Sequence, residues 1–189
     1  MVFSISQKNY NSKLKRYVHE IFAGGYHATR NPDLVFSTLL GSCISVCLRD
    51  RLTGVAGMNH FMLPGKSRKK VAASNGDARY GLNSMKLLIG EMLKIGAGKN
   101  ALEAKIFGGG QLYEMALNNV ADMNINFIKA YLRKNRIPVL AGSVGGHFGR
   151  KIYFYPDTFT VYVKQISFKE IPAVALQQEK RFMQSAIIE

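Results

Sequence analysis

Leu39-Leu40-Gly41-Ser42-Cys43-Ile44-Ser45-Val46-Cys47-Leu48 decides how this chain is read. Ile44, Val46 and Leu48 alternate with Cys43, Ser45 and Cys47, the period-2 pattern of a strand with one aliphatic face. Cys43 therefore points away from the aliphatic side chains, and the small Gly41-Ser42 step before it leaves room for another molecule to approach the sulfur. Asp50-Arg51-Leu52-Thr53-Gly54 reads as a turn, and Val55 to Leu63 as a second strand-like run that carries His60. A hairpin turning between Arg51 and Leu52 sets Cys43 directly opposite His60. Opposed Cβ atoms in such a pair lie roughly 4.5–5.5 Å apart, near enough for a thiol to meet an imidazole. A slip of one residue would send one of the two to the other face. A Cys–His pair makes a sulfur nucleophile at neutral pH, because the imidazole takes the thiol proton. Against this stands the ordinary behaviour of cysteine as a small buried hydrophobe.

Outward from the hairpin, the remaining elements alternate in type. Residues 1–18 read as a polar extension, and Glu20 to His27 as a weak strand with a glycine bulge. Leu34 to Leu40 is a strand leading into Gly41. Leu82, Met85, Leu88, Met92 and Ile95 trace one helical face from Tyr80 to Ile95, closed by Gly96 and Gly98. Ala101 to Phe107 is a strand running into Gly108-Gly109-Gly110. A second helix spans Asn124 to Asn135, and strands follow at Ile137 to Ala141, Lys151 to Tyr155 and Thr158 to Lys164. Residues 19–170 make one domain, and 171–189 a peripheral C-terminal helix. The order predicts an α+β fold: a single layered domain of mixed or antiparallel sheet with two main helices packed on it.

The chain has 189 residues, 47% of them hydrophobic and 20% charged, the balance of a globular domain with a real core. No apolar stretch approaches the roughly 18–20 residues that cross a bilayer, and the start lacks a signal peptide's basic and apolar regions. A cytoplasmic protein without membrane insertion is expected. Cys43 and Cys47 lie about 13 Å apart along a strand, too far for a disulfide. Four histidines and no Cys-x-x-Cys argue against a structural zinc. The net charge of +14 attracts polyanions, with clusters at Lys13 to Arg16, Lys66 to Lys70 and Arg133-Lys134. No zinc finger, recognition helix or stacking motif accompanies the charge, so nucleic acid is not an expected partner. The 66–70 cluster reads as a loop following the His60 strand. None of the glycine-rich turns has the spacing of a nucleotide loop.

Ser37 to Asp50 and Gly57 to Pro64 closely resemble the chemoreceptor glutamine deamidase family, CheD. The likeness continues through Arg79-Tyr80-Gly81, Ala104 to Gly110 and Gly145 to Lys151, in the family's order and spacing over most of residues 19–165. The resemblance implies a cytoplasmic amidohydrolase that converts selected glutamines of methyl-accepting chemoreceptors to glutamate, through a cysteine thioester and without metal or organic cofactor. It implies Cys43 as nucleophile and His60 as base. The family's third residue, a threonine six positions before the cysteine, falls on Ser37, with Thr38 beside it. Ser143 stands where members often carry Asp. Gly41, Ser42, Phe107, Gly108 and Gly109 are the expected substrate-binding positions, and amides near Gly41 to Cys43 or in the Gly108–Gly110 turn the expected oxyanion donors. The implied partners are receptor cytoplasmic helices and a CheC-type phosphatase. The altered Ser37 keeps a second reading open, an adaptor that binds receptor or phosphatase with little catalysis.

Overall fold

A computed structural model describes residues 6–65, 77–111, 120–167 and Glu170. Its order is β1 Ser6–Asn11, β2 Arg16–Ile21, β3 Tyr26–Thr29, β4 Leu34–Leu40, β5 Ile44–Asp50, β6 Ala56–Asn59, α1 Gly81–Lys94, β7 Leu102–Gly108, α2 Val120–Lys134, β8 Val139–Val144, β9 Gly149–Tyr155 and β10 Thr160–Ile166. The α+β expectation holds, with both helices packed on sheet. The strands divide into two five-stranded sheets, ordered β1-β2-β4-β9-β10 and β3-β6-β5-β7-β8. Only the β2–β4 and β7–β8 pairs among them are parallel.

Three layers result, helices on the second sheet and the second sheet on the first. Ile44, Val46 and Leu48 of β5 pack with Met85, Leu88 and Met92 of α1 and Ile125, Ile128 and Leu132 of α2. Cys43 and Cys47, on the other face, join Met58 and Phe107 against Leu34, Phe36, Leu40, Ile152 and Phe154 of the first sheet. The aliphatic alternation thus marks the helix-facing side of β5, while its cysteine side faces a second core rather than solvent. Apolar burial on both faces, at about 25 cal/mol per Å², is what fixes the layering.

The β5–β6 register differs from the sequence expectation by two residues. Cys47 opposes Met58, Leu48 opposes Gly57, and a further bridge joins Ile44 to Phe61. The cause lies in the turn. The Asp50 carboxylate accepts the Leu52 and Thr53 amides at 2.8 and 3.2 Å, the Gly54 amide donates to Asp50 O at 2.9 Å, and Gly54 sits at φ 73°. This is a four-residue connection, longer than the tight turn expected, and it moves the pairing along without changing which face each side chain takes. Continued inward, it sets His60 opposite Ser45, so Cys43 is His60's diagonal neighbour rather than its direct partner.

Residues 6–11, expected within a polar extension, form β1 and pair antiparallel with β2. The basic run at 66–70 and the helix expected at 171–189 lie outside the described residues.

Candidate active site

His60 follows β6 and is 5% exposed. Its Nδ1 lies 2.8 Å from Thr38 Oγ1, and Thr38 Oγ1 donates its one proton to Ile21 O at 2.6 Å. With that proton committed, Thr38 can only accept from the imidazole. Nδ1 therefore carries the hydrogen and Nε2 the lone pair. Nε2 is buried with no hydrogen-bond partner among the described residues. Burial pushes the imidazole pKa down to about 4; the Ile21 carbonyl opposes this and the Lys151 charge adds to it. A ring held neutral at pH 7, with an oriented and unpartnered Nε2, is chemically a general base.

The hydroxyl that meets His60 is thus Thr38's, not that of Ser37. Leu34, Phe36 and Leu40 face the inter-sheet core, and Thr38 shares their parity. Ser37 lies opposite Tyr153 and Glu20 in register, and its buried Oγ has no partner among the described residues. The even-numbered hydrophobics of β4 carried this signal in the sequence. Counting back from the cysteine falls on Ser37 and leaves Thr38 beside it as the alternative.

Cys43, 4% exposed, stands where β4's sheet hands over to β5, with Gly41 and Ser42 half-buried before it. The glycine triplet wraps this corner. Gly109 N–H donates to Cys43 O at 2.8 Å and Gly110 N–H to Gly41 O at 2.7 Å. Gly108 and Gly109 take φ of 110° and 64°, and a Cβ on Gly108 would collide with the Cys43 carbonyl oxygen. The amides of Gly109 and Gly110 are therefore committed to the chain itself, not turned toward an incoming group. Phe107, 4% exposed, belongs to the same inter-sheet core as Cys43.

The second thiol has a different character. Cys47 is fully buried, and burial raises its pKa far above the ordinary thiol range, so it stays protonated.

Two supports of the site were not legible as such. Arg150, 1% exposed, donates to Gly145 O at 2.6 Å, Ser143 Oγ at 2.9 Å and Phe148 O at 3.3 Å. It thereby pins the loop whose Phe148 carbonyl lies against Gly110. Asn124 of α2 is fully buried, and its Nδ2 donates to Met62 O at 2.8 Å and Ser42 O at 3.2 Å. A polar residue on α2's apolar face was the available signal.

The CheD family model, described as CheD chemotactic sensory transduction, matches residues 62–165. The chain is 42% identical to the probable chemoreceptor glutamine deamidase CheD 2 of Chromobacterium violaceum over 178 residues, covering 94% of this chain and 86% of the relative. It is 43% identical to the probable chemoreceptor glutamine deamidase CheD of Laribacter hongkongensis over 159 residues, covering 84% and 76%. For the Rhizobium leguminosarum protein of the same description the identity is 47% over 142 residues, 75% of each chain. The family model and these relatives show that this chain belongs to the CheD family.

Proposed function

We propose that this chain is a protein-glutamine deamidase acting on chemoreceptors, with Cys43 as nucleophile, His60 as base and Thr38 as the group that orients it. The observation that carries the reading is the Thr38–His60 bond, which leaves Nε2 as the basic nitrogen of a ring on the segment paired beside that of Cys43. The relatives' descriptions supply the substrate class.

In the forward step His60 Nε2 takes the Cys43 proton as the sulfur bonds to the glutamine Cδ. The carboxamide oxygen becomes an oxyanion, and one backbone donor aimed at it is worth about 10²–10³ in rate. The tetrahedral centre collapses to a thioester, and the nitrogen leaves as ammonia with the proton from His60. Water, deprotonated by the same Nε2, then attacks the thioester carbon. Glutamate departs and the thiol regains its proton. Proton transfer of this kind contributes about 10²–10⁴. The recessed sulfur supports a side-chain rather than a peptide-bond substrate. A carboxamide on a slim aliphatic stem can enter where the backbone amide of a receptor helix cannot.

The +14 charge suits a substrate surface that gains carboxylates as glutamine is converted. The test is ammonia release, with a one-dalton mass gain at glutamine, from a receptor cytoplasmic fragment. Activity in wild type and its loss in both Cys43→Ala and His60→Ala is the expected result. Receptor binding with no ammonia release by the wild type would leave an adaptor instead.

A further inference from the structure

We infer that Asn124 is a positioning residue for this chemistry, one side chain of α2 that clamps the segment leading into Cys43 to the segment that follows His60. Its effect on rate rests on the deamidase reading; its effect on thiol reactivity does not.

Both N–H groups of the Asn124 carboxamide are used, one on Ser42 O and one on Met62 O. Because both partners are acceptors, the amide has one orientation only; reversed, its oxygen would face two carbonyl oxygens. Ser42 immediately precedes Cys43, and Met62 lies two residues beyond His60. The peptide joining Ser42 to Cys43 is planar and trans, so fixing the Ser42 carbonyl fixes the direction of the Cys43 N–H and the start of its side chain. The Met62 bond does the same for the strand that carries the imidazole. Asn124 thus sets the separation of nucleophile and base without touching either.

The neighbours of Asn124 act in the same sense. Ile125 packs on Gly109, where an added Cβ would come within 2.6 Å of its side chain. Asp122 Oδ2 accepts from Gln111 Nε2 at 3.2 Å. The first turns of α2 therefore hold the cysteine corner, the end of the histidine segment and the residues around the glycine triplet together. Asn124 Oδ1, meanwhile, is buried with no partner among the described residues. An orphaned buried acceptor is unfavourable. Leucine would fill the same volume without that cost, so the site retains asparagine for its two donors rather than for packing.

The test compares Asn124→Leu, which keeps the volume and removes both donors, with Ile128→Ala. Ile128 lies on the same buried face of α2 and touches neither carbonyl. Asn124→Leu is expected to lower kcat about 10²-fold, the scale of a misplaced reacting pair, with KM for the receptor fragment little changed. Alkylation of Cys43 by iodoacetamide at fixed pH should slow toward the rate of His60→Ala. Ile128→Ala should lose thermal stability and keep both rates. Parallel losses of activity in the two variants, or kcat within about twofold of wild type for Asn124→Leu, would overturn the inference. So would failure of Asn124→Leu and Asn124→Ser to fold while Ile128→Ala folds, since Asn124 would then serve folding. A wild type that releases no ammonia would refute the deamidase reading alone, and the alkylation rates would still decide the role of Asn124.

Discussion

Replacing Thr38 by valine removes one hydroxyl and leaves the shape of the side chain. In the wild type that hydroxyl is the link in a buried chain, accepting from His60 Nδ1 at 2.8 Å and donating to Ile21 O at 2.6 Å. Valine would orphan the imidazole N–H and the Ile21 carbonyl together. Each orphan costs about 1–3 kcal/mol, so Thr38→Val should lose roughly 2–6 kcal/mol of stability, a large part of the 5–15 kcal/mol typical of a domain. The catalytic loss has a separate origin. A buried neutral hydrogen bond of about 1.5 kcal/mol biases the imidazole toward the Nδ1–H tautomer by roughly tenfold. Loss of angular restraint on the ring adds up to about another tenfold. Ammonia release under single-turnover conditions, at a temperature where both proteins are folded, should therefore fall about 10–100-fold. Thr38→Ser should keep most of the rate. Ser37→Ala should keep all of it, because Ser37 projects to the other face of β4. An unimpaired Thr38→Val, or a Ser37→Ala as slow as Thr38→Val, would refute the assignment of the orienting hydroxyl.

The acid limb of kcat/KM should fall toward a midpoint near pH 4, where His60 takes its proton, rather than near 6.5. The folded pKa is depressed, so the neutral ring's contribution to stability is complete above pH 6.5 and is lost as pH falls from 6.5 toward 4. It amounts to about 3 kcal/mol, and denaturant titrations of wild type against His60→Gln should show it. Gly108→Ala should abolish activity and unfold the corner, since φ is 110° and the new methyl would meet the Cys43 carbonyl. Gly54→Ala, at φ 73° in open space, should cost only the left-handed strain of about 1–2 kcal/mol; equal losses of Tm in the two would contradict this. Iodoacetamide should modify Cys43 alone in the native protein and both cysteines in denaturant, read by peptide mass, and Cys47→Ala should remain active. Raising ionic strength should lower kcat/KM on receptor more than kcat, as a +14 enzyme steered to acidic helices requires; an unchanged ratio would remove steering.

Local pattern made most of the elements legible. Leu34 to Leu40 was read with the bounds β4 has, and the aliphatic stripe of α1 was read to within a residue at each end. Both follow from periodicity that any buried face imposes. What periodicity does not encode is which layer lies on the other side of a strand. β5 displays alternating aliphatic and small residues, and the small ones were free to face solvent or a second core. Register was equally hidden, because it depended on the Asp50 carboxylate gathering two amides and on Gly54 turning left-handed. The site followed the same division. Cys43 and His60 were chosen for their chemistry, and the shift of two residues in register preserves their common face. The count from the cysteine put Ser37 first and kept Thr38 beside it, and the parity of Leu34, Phe36 and Leu40 is what turns Thr38 toward His60. Asn124 stood at the expected start of the second helix and was taken as a boundary. α2 in fact begins at Val120, which places Asn124 inside the helix on its buried face.

The position of the site in the seam between the sheets explains its chemistry. On the proposed assignment, the second sheet supplies thiol and imidazole, the first supplies the Thr38 hydroxyl that meets the ring, and Asn124 of α2 bonds the segments beside both. Within this seam the desolvation that makes Nε2 a neutral base also disfavours a standing imidazolium. A neutral resting imidazole fits a step in which charge separates as the proposed nucleophile meets a carbonyl carbon. The developing oxyanion and the protonated ring stabilise one another in a medium of low dielectric, where such terms are largest.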